Sequence, residues 1–453
     1  MKTILGLVSA IFLCHSSWTN ASQTESPVCD KITPALTPFI EQGIFQGNVL
    51  IAKNGVVLCA KSVGFADANK QISINRNTQF AIASLSKPIV ASLVLKLAEQ
   101  GVVDLHSPLN RYLPKFNAPW AKQVTLHHLL ANRSGLPSHF MLPGWKEGRY
   151  KQDIPQQALL DTLASMSIDF TPGTQYRYTN LGWLLLAEMV ETVTASSLEE
   201  NLRKHIFTPV SMPNSGLVSH SSATIATGFR WGKNGGWQAV NNLPMQILHG
   251  GAGIYSTSDD LINYLDALHN GNLLSAQSQK ALFSSDSPYG WKLENITLSE
   301  DTDKAVHTFD GQLEGHSSFV YYLTQDNVSL ILLNNTGMGY EHKRILADDM
   351  LRAFYGLPLP NRTATASLVL NRALLDNKWA DVIKTIQSKP IDNITDLLLV
   401  NDLAKQLDWS DNTSKALDLF AWLVKSYPDN PHLNHSIKNL CTRNTSHRAC
   451  GIL

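Results

Sequence analysis

Two β-rich runs, Gly47 to Lys53 and Val56 to Ala60, flank the pair Asn54-Gly55. An Asn-Gly pair in that setting is a strong hairpin signal, because a two-residue turn needs positive φ at both central positions. The next β-rich runs lie near the other end of the chain. They are Phe319 to Tyr322 and Val328 to Leu333, separated by the polar Thr324-Gln325-Asp326-Asn327. Most of the intervening chain reads as helix. Helical spacing predicts helices over Cys29 to Gly43, Ala158 to Met166 and Leu181 to Val193. It also predicts Pro88 to Gln100, with Ile89, Leu93 and Leu97 on one face and Gly101 as the stop. Asp259 to Leu268 opens on acidic residues and runs apolar at Leu261, Tyr264 and Leu268. A helix over Arg344 to Tyr355 returns onto the last strands. Strands at both ends with helices between them predict an α+β domain, whose antiparallel sheet is completed by distant segments.

At 453 residues and 50.0 kDa the chain is too long for one average domain. Apolar residues make up 43% and there are 10 Trp, which excludes a disordered chain. Lys+Arg and Asp+Glu are both 37, so the basic footprint of a nucleic-acid binder is missing. Lys2 precedes an apolar run from Ile4 to Cys14, and Thr19-Asn20-Ala21 offers a cleavage site. This predicts a signal peptide over residues 1–21 and a periplasmic or secreted protein. No later stretch is apolar over the roughly 20 residues needed to span a bilayer. Without the leader four cysteines remain, Cys29, Cys59, Cys441 and Cys450, which allow three pairings. Cys441 with Cys450 would close a short C-terminal loop and leave Cys29 with Cys59. No cysteine spacing suggests a zinc site.

Composition shifts at Leu357-Pro358-Leu359-Pro360-Asn361, read as a linker. Beyond it, residues 361–453 read as helical. Ala416 to Val424 followed by Tyr427-Pro428-Asp429-Asn430-Pro431 resembles one tetratricopeptide unit. The competing reading is a plain helical hairpin capping the first domain.

Two short motifs carry chemistry. Ser84-Leu85-Ser86-Lys87 is the only S-x-x-K in the chain and sits at a loop-to-helix start. Positions three apart on a first helical turn share a face, so Lys87 points back at Ser84. A serine hydroxyl needs an adjacent base, and a lysine serves if burial or a neighbouring cation lowers its pKa. The helix N-terminus adds positive potential around Ser84. Tyr178-Thr179-Asn180 opens the helix from Leu181. A tyrosine near cationic groups can shuttle the leaving-group proton, and an asparagine amide can orient a substrate amide or carboxylate.

These motifs stand in order with others: Phe80 to Pro88, Val124 to Leu130 running into Ser134-Gly135-Leu136-Pro137, Tyr178 to Trp183, Gly250 to Leu261, and Gly315-His316-Ser317-Ser318 before Leu333-Asn334-Asn335. Over about residues 30–356 the chain resembles the serine β-lactamase-like family, the group of class C β-lactamases, DD-peptidases and penicillin-binding-protein-type serine hydrolases. The resemblance implies a β-lactamase/transpeptidase-like fold, an antiparallel sheet flanked by helices plus an all-helical lobe, with the site between them. It implies Ser84 as nucleophile of an acyl-enzyme, Lys87 as its base, Tyr178 as the other base and acid, and Asn180 as a substrate contact. The Ser84 N–H would form half of the oxyanion hole.

One family motif is altered. No K-[ST]-G exists, and the nearest match, Asp310-Gly311-Gln312, has Phe309 where Lys or His is expected. In this register Asp310, Gly311 and Gln312 line the substrate, and the Gln312 N–H is the other oxyanion donor. His316, where relatives usually carry Phe, is the candidate replacement cation. The lost cation shifts the expectation from D-alanyl-D-alanine carboxypeptidase or β-lactamase toward an esterase or amidase for neutral acyl substrates. No cofactor and no metal are expected. The substrate would be a small molecule or peptide with an ester or amide bond. Residues 361–453 form a candidate surface for a protein partner. The competing readings are a binding or regulatory protein on the same fold and a cell-wall binding module that grips without cutting.

Overall fold

The structure is a computed structural model. It describes residues 26–451 apart from 68–70, 146–153, 221–224, 233–235, 241–244, 363–364, 389–390, 392 and 443–445. The leader expected over residues 1–21 lies outside the described residues.

Six antiparallel strands form the main sheet: β1 (Gly47–Lys53), β2 (Val56–Val63), β3 (Lys292–Ser299), β4 (Thr302–Leu313), β5 (His316–Leu323) and β6 (Val328–Asn334). Their order across the sheet is β3-β4-β5-β6-β1-β2. The sheet is thus completed by the end of the domain, with β6 pairing β1 from Gly47 opposite Asn334 to Lys53 opposite Val328. Asn54 and Gly55 both take positive φ, 50° and 73°, as the two-residue turn demands. The β5 and β6 strands are buried at every position, and their apolar stretches, Phe319 to Leu323 and Leu330 to Leu333, do not alternate with polar residues.

Side-chain parity along the strands divides the interior into two cores. On one face Val49, Ile51, Phe319, Tyr321, Leu330 and Leu332 meet α1 (Pro27–Glu41) and the later helix Tyr340–Tyr355. On the other, Leu50, Phe309, Val320, Ile331 and Leu333 face the helix Ser258–His269, which packs on β1 and β6, and share the core of the helical lobe with α2 (Ser86–Glu99). That lobe contains α3 (Asn180–Thr194), whose Trp183, Leu184 and Leu185 are fully buried, and it packs with α4 (Ser258–His269). The helix Tyr340–Tyr355 is α5.

Five helices follow: α6 (Ala366–Leu375), α7 (Trp379–Gln387), α8 (Ile394–Trp409), α9 (Thr413–Ser426) and α10 (Pro431–Cys441). The expected helix–turn–helix is present as α9 and α10. A tetratricopeptide array is not shown. The five helices do not hang from a free linker. Leu368 and Leu399 join the core under the sheet, and Trp231 from the first part of the chain joins theirs. Leu357 and Leu359, read as linker, pack against the sheet core. Disulfides join Cys29 to Cys59 and Cys441 to Cys450. Among the described residues no single helix is long and apolar enough to cross a membrane.

Candidate active site

The turn that presents Ser84 is held from several sides. Phe80–Ala81 pairs with Ile254–Ser256, and the Ile82 N–H donates to the Ile254 carbonyl at 3.0 Å. Ala83 then takes a left-handed φ of 52°, sparsely populated for a residue with a Cβ. Ser86 Oγ donates to the Ala83 carbonyl at 2.7 Å and accepts from the Ile254 N–H at 3.1 Å. The second serine of the motif is therefore structural. Ser84 is half-buried between fully buried neighbours, the exposure a nucleophile needs.

Three oxygens surround the Lys87 ammonium nitrogen: Gly251 O at 2.7 Å, Asn180 Oδ1 at 2.8 Å and Ser84 Oγ at 3.1 Å. Lys87 is wholly buried, and burial pulls its pKa well below the ordinary lysine value, with the Asp310 charge opposing. A neutral amine has two N–H donors and one lone pair. As a free amine with its two donors on Gly251 and Asn180, Lys87 would turn its lone pair to Ser84. Tyr178 donates its hydroxyl to Ser84 Oγ at 2.7 Å. Burial pushes the Tyr178 phenol far above its usual value, the Ser84 hydrogen bond opposing, so it stays protonated. The two neighbours of Ser84 are thus set apart, the amine shifted down and the phenol shifted up.

The other wall is the β4–β5 pair. Gly311 faces Ile82, and a Cβ there would overlap the Ile82 carbonyl oxygen and come within 2.5 Å of Ser318 Oγ. Ser318 Oγ donates to that same carbonyl at 2.6 Å. Glycine at 311 is what lets the strand approach the nucleophile turn. Leu313 and His316 close a two-residue turn, and β3 pairs β4 only as far as Lys292 opposite Thr308. In such a ladder alternate residues turn their main-chain groups outward. Counted from the Leu313–His316 pair, Gln312 turns its N–H away from β5, off the unpaired edge of β4.

The expectations of Asp310 and His316 as substrate contacts are corrected. Asp310 pairs Phe319, and both face α5, opposite to Gly311. Its carboxylate is taken by Lys292 at 3.2 Å and Lys343 at 3.3 Å. His316 is buried against Gly228, where a Cβ would lie 2.6 Å from its Nε2. Burial pulls it down to about 4, so it is a neutral ring and no replacement cation. Phe309 is buried on the site face, among the core residues. The Gln312 side chain donates to Gly337 O at 3.1 Å, so only its main chain is available to the site.

Three contributors escaped the sequence reading. The Gly251 carbonyl reaches Lys87 because glycines at 250 and 251 let the chain pass against Trp183. His139 accepts from the Asn180 N–H at 3.5 Å and is held down to about 4, chiefly by burial. The loop before it supports the tyrosine, since the Asn132 carbonyl accepts from the Arg177 N–H at 2.8 Å. Spacing gave no signal for the first two; both depend on segments distant in sequence meeting at the lysine.

Residues 32–353 match the beta-lactamase family profile. Penicillin-binding protein 4* of Bacillus subtilis (strain 168) is 25% identical over 72% of this chain and 76% of its own length. Esterase EstB of Burkholderia gladioli is 27% identical over 65% of this chain and 87% of its own. Among solved structures, D-amino acid amidase from Ochrobactrum anthropi SV3 complexed with L-phenylalanine amide aligns with a TM-score of 0.63 and 22% identity. That alignment covers 73% of this chain and 99% of the amidase. The chain belongs to the beta-lactamase family of serine hydrolases.

Proposed function

We propose that the protein hydrolyses a neutral ester or amide through an acyl-enzyme on Ser84. The observation that carries this reading is Ser84 Oγ between the Lys87 amine at 3.1 Å and the Tyr178 phenol at 2.7 Å, with burial lowering the pKa of the first and raising that of the second. Ser84 Oγ attacks the carbonyl carbon and its proton passes to Lys87 Nζ. The carbonyl oxygen takes the electron pair and is held by the Ser84 and Gln312 N–H groups. Collapse expels the alcohol or amine, which takes the Tyr178 proton, and Lys87 returns a proton to Tyr178. Water then attacks the acyl carbon and its proton goes to Lys87; on collapse Ser84 Oγ leaves and takes that proton back, which restores the hydroxyl and the free amine.

The substrate class is supported by what surrounds the site. Phe309 offers a carboxylate nothing to pair with. Phe140 and Met141 follow His139, and Tyr176 precedes Tyr178 by two residues; these three are 55%, 69% and 63% exposed. The Phe140 ring lies 4.1 Å from the His139 ring, centre to centre. An exposed apolar rim of this kind suits an aromatic or aliphatic acyl group. The names of the relatives, an esterase and an amidase among them, support an ester or amide bond. Export is part of the proposal, supported by the apolar leader and two disulfides.

The test uses the mature protein and Ser84→Ala with a fluorophosphonate, p-nitrophenyl esters and a penicillin, read by intact mass and turnover. A serine adduct and ester turnover, both lost in Ser84→Ala, are expected. A stable penicillin adduct would move the reading to a penicillin-binding peptidase, and fast penicillin turnover to a β-lactamase. No adduct with any probe, in folded protein, would favour a binding role.

A further inference from the structure

Lys343, in the first turn of α5, is 1% exposed and takes no part in the steps above. Its Nζ donates to the Gly311 carbonyl at 2.9 Å, to Asp310 Oδ2 at 3.3 Å and to the Ser318 carbonyl at 3.4 Å. Gly311 and Ser318 are cross-strand partners. The ammonium therefore straddles one rung of the β4–β5 ladder, from the face opposite Ser84. The Gly311 carbonyl and the Gln312 N–H belong to one peptide group. A cation on that oxygen draws electron density toward it and leaves the N–H more positive, as in any polarised hydrogen-bond chain.

We propose that Lys343 is a positioning residue for acyl transfer: it fixes and polarises the Gly311–Gln312 peptide, so that the Gln312 N–H binds the oxyanion more strongly. The proposal rests on the Ser84 reading. It supplies from behind the sheet some of the positive potential that Phe309 does not supply from the front.

The lysine is aimed by the C-terminal helices. His342, its neighbour, has Nδ1 2.8 Å from Asp402 Oδ2 on α8 and Nε2 3.2 Å from Ser367 Oγ on α6. The His342 N–H also donates to Asp402, at 3.3 Å. At the other end of the strand pair, Arg230 joins Glu314 in the β4–β5 turn at 2.5 Å to Asp411 at 3.4 Å. The region beyond the matched family profile thus clamps both α5 and the turn of the oxyanion strand. Burial draws the Lys343 ammonium below its ordinary value, while Asp310 and then Asp402 act to keep it charged. Burial alone would raise Asp310, but Lys343 and Lys292 hold it below the usual carboxylate range.

The test compares wild type, Lys343→Gln and Lys343→Met in the full chain, with circular dichroism and thermal melting as folding checks. Turnover of p-nitrophenyl butyrate and inhibition by an aryl boronic acid, which forms a tetrahedral adduct on serine, are measured. Losing an oxyanion interaction costs on the order of 10²–10³ in kcat, so weakening one should cost about 10-fold in Gln and more in Met. KM should hold within about threefold, and boronate affinity should fall in step with kcat. If the Met variant does not fold, the Gln variant, with a neutral donor, carries the comparison. If neither does, Asp402→Asn loosens the clamp without touching the strands, and kcat should fall with KM held. Unchanged kcat in a folded variant, or a KM effect without a boronate effect, would overturn the proposal. Turnover that survives Ser84→Ala would instead sink the parent reading.

Discussion

The Tyr178 hydroxyl stands 2.7 Å from Ser84 Oγ and donates to it, from a site where burial keeps the phenol protonated. Tyr178 is therefore placed to give a proton rather than to take the first one. Removing it should hurt most where the leaving group is poor.

Tyr178→Phe keeps the ring and its packing and removes the donor. Turnover of an amide or alkyl ester should fall by about 10²–10⁴, the usual worth of a positioned acid. A p-nitrophenyl ester, whose leaving group needs no proton, should lose far less. Equal losses on both substrates would rule out the acid role.

In the proposed mechanism Lys87 acts as the free amine, so its protonation should switch the enzyme off. Burial lowers its pKa, and kcat/KM should rise with pH as the folded-state ammonium loses its proton. Lys87→Arg keeps a permanent cation at the position and should be inactive at every pH, although it folds. Burial holds His139 down to about 4, well below the ordinary histidine range. The acid limb should therefore survive in His139→Gln, and a limb that vanishes there would reassign the base.

Gly311→Ala puts a Cβ into the Ile82 carbonyl. The strand must retreat, carrying the Gln312 N–H away from Ser84. We expect a stability loss of about 1–3 kcal/mol from overpacking, read by denaturant melts. Ester turnover should drop by about 10²-fold or more, the cost of one oxyanion donor. Wild-type turnover in this variant would refute the assigned register.

Phe140→Ala trims the exposed rim. A buried aromatic contact is worth about 1.5–3 kcal/mol, so kcat/KM for a phenylacetyl or hexanoyl ester should fall about 10- to 150-fold. The acetyl ester should be nearly unaffected. Parallel losses for both chain lengths would exclude the rim from acyl selection.

Much of the site was legible because it is local. Ser84 and Lys87 are one helical turn apart, and that spacing alone places the two side chains together. The Asn54-Gly55 turn and the run from Val328 to Leu333 announced themselves through turn chemistry and continuous burial. Asp310 misled because the strand's parity was open. Its pattern, Thr308-Phe309-Asp310-Gly311-Gln312, alternates no clear apolar face, and only the register with β5 decides which side meets Ser84.

The sequence by itself determined the Ser84–Lys87 turn, the Tyr178–Asn180 helix start and the antiparallel sheet that joins Gly47–Lys53 to Val328–Asn334. Tertiary structure decided the rest. It turned Asp310 to the rear, brought the Gly251 carbonyl to Lys87 across 164 residues of chain, and set Lys343 behind Gly311. The reason is physical. Hairpins and helical turns are written in neighbouring residues, whereas a buried amine's pKa and partners depend on which distant segments exclude water from it.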